Sequence, residues 1–320
     1  MQAGRALVTG VSGFVGGYLA EELLSHGWEV AGSAPPASWD EFSASALVDK
    51  VVLIPWDLGG SASLPAEVGS ALREFRPTAI FHLAAISVPE KCGGEEPTPE
   101  AWQVNVEGTR HVLELAASLR PIPTVLVVSS SHVYGEVKWD SPVVDENAPL
   151  APRSGYGKTK KAAEDLAQRA IKDGLPVIIV RAFHHSGPRQ RPPMLLPQWA
   201  SQFADPSTTE VVVYSLDVWL DLCDVRDVVR AYRLLVERGR PGVFNVGSGR
   251  AVCTREIFDL LTEISGRALP AKQIRPGRRH EPVADLARIS EATGWQPQIP
   301  LRQTVADTLA WWQNRQRKSC

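Results

Sequence analysis

Arg5-Ala6-Leu7-Val8-Thr9-Gly10-Val11-Ser12-Gly13-Phe14-Val15-Gly16 reads as a short buried strand that turns on glycine directly into the helical pattern Leu19, Leu23, Leu24. Three glycines spaced three apart let the backbone turn tightly and approach a pyrophosphate, whose charge then meets the free N–H groups and positive end of the helix. A plain glycine-rich turn could look similar. The strand–turn–helix order at the head of the chain favours a dinucleotide site, with Gly10, Ser12, Gly13, Phe14, Val15 and Gly16 as its candidate contacts.

The pattern then repeats. A second strand, Trp28 to Ala31, ends at Gly32-Ser33 and brings no Asp or Glu to the place where an NAD-selective site presents one to the ribose 2′-hydroxyl. Ser33 there leaves room for a 2′-phosphate, so NADP (NADPH) is the expected cofactor and NAD the alternative. A third strand, Val51 to Ile54, leads to Asp57-Leu58, either an adenine contact or a helix cap. The fourth, Ala79 to Leu83, ends in Ala84-Ala85, small enough for a dinucleotide to lie close. After a Gly/Pro/Glu-rich loop, Glu90 to Pro99, a helix from Ala101 to Leu119 carries Asn105 and has apolar positions on more than one face, which suggests a partner helix across a homodimer.

The fifth strand, Pro123 to Val128, delivers Ser129-Ser130-Ser131-His132 to the carboxyl edge of the sheet, where ligands of open α/β folds bind. Tyr156-Gly157-Lys158-Thr159-Lys160 opens the next helix, placing Tyr156 and Lys160 one turn apart on one face. An ammonium beside a phenol favours the phenolate, so the tyrosine's pKa is expected below its ordinary value of about 10. A sixth strand, Pro176 to Val180, completes a regular alternation that predicts a parallel, doubly wound Rossmann-type sheet with right-handed crossovers.

After Arg181 the alternation stops. The division expected is a nucleotide-binding domain over 1–180, with return segments near 208–236, and a smaller α/β lobe mainly over 181–320. Residues Arg181 to Pro193 read as a binding loop. Arg181, Arg189, Arg191, Arg226, Arg275, Arg278 and Arg279 cluster in this half and could clamp a diphosphate bidentately.

Composition narrows the partners. The 320 residues carry a net charge of −2, with 44% hydrophobic and 22% charged residues, which gives no general attraction to nucleic acid or anionic membrane. Cys92, Cys223, Cys253 and Cys320 are scattered, without zinc spacing, and read as inert thiols; no metal ligand set is recognised. The early strand leaves no room for a signal peptide and no apolar run approaches a membrane span, so a cytoplasmic protein is expected.

The combined set Gly10/Gly13/Gly16, Ser130, Tyr156, Lys160 and Arg181 to Gln190 resembles the extended short-chain dehydrogenase/reductases acting on nucleotide sugars. Gly187-Pro188-Arg189-Gln190, Asp224 to Tyr232, Phe244 to Gly249 and Thr293 to Pro297 are most similar to the GDP-6-deoxy-4-keto-mannose reductases and GDP-mannose dehydratases. The resemblance implies an NADP(H)-dependent reduction of a C4 ketone: Tyr156 gives a proton to the keto oxygen, Ser130 hydrogen-bonds it, and Lys160 holds the nicotinamide ribose and tunes Tyr156. Asn105 would add to the cofactor site. Ser131, His132, His184, Arg189, Arg226 and Arg275 would contact the nucleotide sugar. His132 stands where dehydratases of the family carry glutamate and epimerase/reductases carry cysteine, and His184 stands where asparagine is usual. An NAD-dependent epimerase or dehydratase, or a non-catalytic cofactor-binding subunit, are the alternatives.

Overall fold

The computed structural model describes residues 4–34, 42, 47, 49–60 and 65–319; Cys320 lies outside them. In chain order the elements are β1 (Arg5–Thr9), α1 (Phe14–Ser25), β2 (Glu29–Ala34), β3 (Val52–Pro55), α2 (Ala66–Phe75), β4 (Ala79–His82), α3 (Pro99–Trp102), a π-helical turn (Gln103–Glu107), α4 (Gly108–Ser118), β5 (Thr124–Ser130), β6 (Val143–Val144), α5 (Gly155–Lys172), β7 (Val177–Ala182), β8 (His184–Ser186), α6 (Leu195–Ala204), β9 (Val211–Val213), β10 (Val218–Asp224), α7 (Val225–Arg238), β11 (Gly242–Val246), β12 (Ala251–Cys253), α8 (Thr254–Ser265), β13 (Ala271–Gln273), β14 (Arg279–His280), β15 (Val283–Ala284), α9 (Ala287–Thr293) and α10 (Leu301–Ser319).

Seven strands form one parallel sheet in the order β11-β7-β5-β4-β1-β2-β3. Helices cover both faces, which is why the interior runs of the central strands, 6–8, 79–81, 125–128 and 177–180, are apolar rather than alternating. Ala6 and Val8 of β1 point to the side of α1 and α7 and meet Leu19, Leu23 and Tyr232. Leu7 and Ile80 point the other way, into Leu72, Val112, Leu115 and Ala167 of α2, α4 and α5. The strand order turns back between β1 and β4, so the carboxyl ends of these two strands open a crevice.

The second lobe has its own core, Trp199, Phe203, Val211, Leu220, Phe258 and Leu309, gathered from α6, β9, β10, α8 and α10. Of the return expected near 208–236, α7 from Val225 packs on the main sheet and the return continues to β11 at Val246, whereas β9 pairs with β13 in the smaller lobe. The helix expected from Ala101 to Leu119 runs as α3, the π-turn and α4, and the π-turn falls on Asn105. Such turns interrupt the regular ladder and are frequent at functional sites.

Candidate active site

The first crevice wall is the turn between β1 and α1. Gly10 has φ +72°, and its N–H and that of Val11 donate to the Ser33 carbonyl at 2.7 and 3.3 Å, locking the turn onto the end of β2. A Cβ on Gly16 would lie 2.1 Å from the Gly10 carbonyl oxygen, so only glycine lets the helix start this close to the strand. Gly13 gives α1 no side-chain cap, which leaves the first amides available to an anion. Beside this cradle the buried Ser33 hydroxyl has no hydrogen-bond partner among the described residues. A buried hydroxyl without a partner is costly unless a ligand oxygen completes it, and this one stands where the ribose end of a dinucleotide belongs. The residues fit a nicotinamide dinucleotide.

Three expected cofactor contacts, Asp57, Leu58 and Asn105, have partners within the protein. Asp57 Oδ1 accepts from the Gly59 amide at 2.9 Å, a turn cap, and Leu58 is buried in the core. The Asn105 amide oxygen accepts from Ile86 N at 2.8 Å, while its nitrogen donates to the Ile86 carbonyl and to Thr159 Oγ1, each at 3.0 Å. Asn105 therefore ties α5 to the loop after β4 rather than presenting itself to the crevice. Ala84 lies against Gly10 and, with Ala85, belongs to the loop that follows β4. Phe14 stacks on His185 with ring centroids 6.4 Å apart, joining α1 to β8.

Sequence reasoning missed His82, the last residue of β4. Its imidazole lies between Thr9 Oγ1 at 2.8 Å and Thr109 Oγ1 at 3.0 Å. Thr109 gives its own proton to the Asn105 carbonyl, so it accepts from His82 Nε2–H, and His82 Nδ1 accepts from Thr9. Burial lowers this histidine to about 3, in keeping with that neutral form. Its only sequence signal was a polar residue ending an apolar strand.

The second wall carries Ser130, Tyr156 and Lys160. Ser130 ends β5, and Ser154 caps α5 by accepting from Gly157 N at 3.1 Å, so Tyr156 stands in the first turn with Lys160 one turn behind it. The Tyr156 side chain is half-buried at the crevice. Burial pushes the phenol up to about 12, against the opposing pull of a hydrogen bond with Ser130. This corrects the expectation of a lowered tyrosine. Lys160 Nζ donates to the Val128 carbonyl at 3.0 Å and lies 5.9 Å from the Tyr156 ring centroid, over the ring rather than at the hydroxyl. Burial lowers this lysine to about 8.

Behind that wall is a buried ionic network. Arg181 donates to both Glu164 oxygens, at 2.9 Å from Nη2 to Oε2 and 3.1 Å from Nε to Oε1, and Ser129 Oγ donates to Oε1 at 2.5 Å. Nη1 donates to Tyr134 and to the Glu146 carbonyl, and Tyr134 donates to Asn245 at 2.6 Å. Arg181 is thus no diphosphate ligand: it fixes α5 against β5, β7 and β11.

Two further arginines are likewise committed. Arg189, at φ +69°, holds Glu21 of α1 through two hydrogen bonds of 2.8 and 2.6 Å and lies over the Tyr18 ring. Arg226 holds Asp224 and Asp307, fastening α7 to α10. Both guanidiniums are thus engaged by carboxylates of neighbouring helices. Arg275, Arg278 and Arg279 are exposed, with Arg275 above Tyr214 and Arg278 above Trp139.

Opposite Tyr156 stand His132, His184 and Glu281. The His132 ring meets the Tyr156 and His184 rings edge-on, with centroids 5.4 and 5.7 Å away. His184 Nε2 lies 2.5 Å from Glu281 Oε2. The carboxylate raises His184, whereas burial first and the His184 charge second lower His132 to about 4. Ser131 is buried at the start of the turn that carries His132. Glu281 went unnoticed in the sequence because Arg278-Arg279-His280 drew attention to positive charge.

Residues 6–247 match the description "NAD dependent epimerase/dehydratase family". The chain belongs to that family. Among its relatives, GDP-6-deoxy-D-mannose reductase of Pseudomonas aeruginosa is 31% identical, over 98% of this chain and 99% of its own length. UDP-glucose 4-epimerase of Mycolicibacterium smegmatis is 30% identical, over 97% and 99%. Among solved structures, RMD from Pseudomonas aeruginosa complexed with NADPH superposes with a TM-score of 0.78 at 29% identity, over 98% of this chain and 100% of its own. A putative epimerase from Burkholderia cenocepacia J2315 gives 0.84 at 31% identity, over the same shares. The Rossmann-type fold and the extended short-chain dehydrogenase/reductase resemblance follow from these matches, and no described helix is long and apolar enough to cross a membrane.

Proposed function

We propose that this chain reduces the C4 keto group of a nucleoside-diphosphate 4-keto-6-deoxy sugar, GDP-4-keto-6-deoxymannose above others, with NADPH in preference to NADH. One observation carries the reading: Tyr156 stands in the first turn of α5 at the carboxyl edge of the sheet, across from Ser130 at the end of β5 and with Lys160 over its ring. A tyrosine at about 12 begins the cycle as an acid, which is what carbonyl reduction needs.

Gly10, Gly13, Gly16 and Ser33 would hold the dinucleotide, and Ser33, in place of an acidic residue, admits a 2′-phosphate. A bound reduced nicotinamide supplies the hydride. Tyr156 passes its proton to the sugar's keto oxygen, Ser130 steadies that oxygen by hydrogen bonding, and the Lys160 ammonium stabilises the phenolate left behind. His132 and His184 line the sugar side, and the exposed Arg275 is the diphosphate contact.

The chain is also inferred to work as a homodimer through α4 and α5, which with Ile122 line an open groove of apolar residues such as Ala117 and Ala170 and of charged ones such as Glu114 and Arg169. A light-scattering mass of one chain would remove that part.

The activity test follows NADPH absorbance with GDP-4-keto-6-deoxymannose and identifies the product. Stoichiometric oxidation with formation of a GDP-6-deoxyhexose supports the reading. An enzyme that purifies with bound NAD and interconverts sugar nucleotides without net consumption is an isomerase instead.

A further inference from the structure

His132, His184 and Glu281 come from three places distant in sequence: the turn after β5, the start of β8 and the residue following β14. One donor atom from each lies within 4.8 Å of the other two. The His184 and Glu281 side chains are 34% and 17% exposed, so an ion has a way in. Arg279 Nη2 donates to Glu281 Oε1 at 2.7 Å, which turns Oε2 toward the histidines.

An ion pair between His184 and Glu281 uses only two of these groups. It gives no account of why a second imidazole closes on them. Two imidazoles and one carboxylate are a ligand set for borderline divalent ions; bonds of about 2.0–2.2 Å require donors roughly 3–4 Å apart, which small side-chain rotations supply here. Arg279 weakens the pull on any cation, and the nitrogen donors discriminate against calcium and magnesium, which prefer all-oxygen sites. We propose that His132, His184 and Glu281 bind one divalent transition-metal ion, with zinc as the reference, at the wall of the crevice facing Tyr156. Three protein ligands leave at least one position for water or a sugar hydroxyl. When the ion takes His184 Nε2, the proton shared with Glu281 leaves to solvent, so binding releases protons.

The inference rests on the side-chain cluster and not on the reductase reading. The full chain, stripped with chelator, is titrated with Zn2+ alone by calorimetry in two buffers of different ionisation enthalpy, and with Co2+ by absorbance. One equivalent per chain is expected, with proton release and the visible bands of a low-coordinate Co2+ centre. His184→Ala and Glu281→Gln, each shown by circular dichroism to be folded, should lose about tenfold or more in affinity. Cys253→Ser and His26→Ala should bind as the parent does. Absence of binding in the parent overturns the proposal, and so does unchanged affinity in both site variants. NADPH consumption by the stripped enzyme tests the reductase reading separately.

Discussion

Lys160 Nζ lies 5.9 Å from the centroid of the Tyr156 ring and 3.0 Å from the Val128 carbonyl oxygen. Burial acts on the two groups in opposite directions, raising the phenol to about 12 and lowering the ammonium to about 8. At neutral pH both are protonated. The pair is therefore set as a neutral acid with a cation beside it, ready to stabilise the charge that proton donation creates.

Lysine is charged below its pKa and neutral above it, whereas Tyr156 stays protonated across the whole working range. The alkaline limb of kcat/KM should therefore begin near pH 8 and fall about tenfold per unit above it. Lys160→Met should lower the rate at every pH and flatten that limb. A wild-type profile level to pH 10 or beyond would detach Lys160 from the chemistry.

Glu164→Gln leaves Arg181 buried without its counter-charge, since the two side chains are 0% and 3% exposed. Breaking such a pair costs about 3–5 kcal/mol, a large share of a typical stability of about 5–15 kcal/mol. Ser129→Ala, which removes one neutral donor to the carboxylate, should cost about 1–3 kcal/mol. Urea midpoints at constant slope measure both; a Glu164→Gln protein as stable as the parent would show that the network does not hold α5.

In Gly16→Ala the new methyl would lie 2.1 Å from the Gly10 carbonyl oxygen and 2.8 Å from Val11 Cα, both backbone atoms that cannot yield without opening the cradle. NADPH affinity by fluorescence should fall beyond detection. Gly277→Ala, where nothing stands within 4 Å of the added carbon, should bind as before.

Arg189 and Arg226 are already paired with carboxylates, whereas Arg275 is exposed over Tyr214. Arg275→Ala should raise KM for the sugar nucleotide about tenfold or more with little change in kcat, the loss of one charged phosphate contact. Arg189→Ala should instead lower thermal stability, because it frees the loop after β8 from Glu21. The reverse pattern would restore Arg189 as the diphosphate ligand.

The sheet was legible because its inner strands β1, β4, β5 and β7 each carry an apolar run that ends on a polar residue, the pattern that burial on both faces demands. The positions of Tyr156 and Lys160 at a helix start were legible as local features, while the choice of Ser130 among three serines at the end of β5 came from the family resemblance. What escaped was long-range. The carboxylates that engage Arg181 and Arg189 lie 17 and 168 residues away, and Arg226 also reaches Asp307 on α10, so nothing local in the chain distinguishes a paired guanidinium from a free one. Glu281 lies 97 residues from His184, so the grouping exists only once β8 and β14 both pair with β10. The Tyr156 pKa was misjudged because spacing shows a neighbouring charge but not the burial that outweighs it.

Single-turnover NADPH oxidation with GDP-4-keto-6-deoxymannose, compared between the parent and Tyr156→Phe at matched cofactor saturation, tests the central claim most directly. The phenylalanine keeps the ring and removes the proton. The rate should fall about 10²–10⁴-fold while NADPH affinity stays within a few-fold. A variant that oxidises NADPH at the parent's rate would contradict proton donation by Tyr156, and with it the reductase mechanism drawn from this crevice.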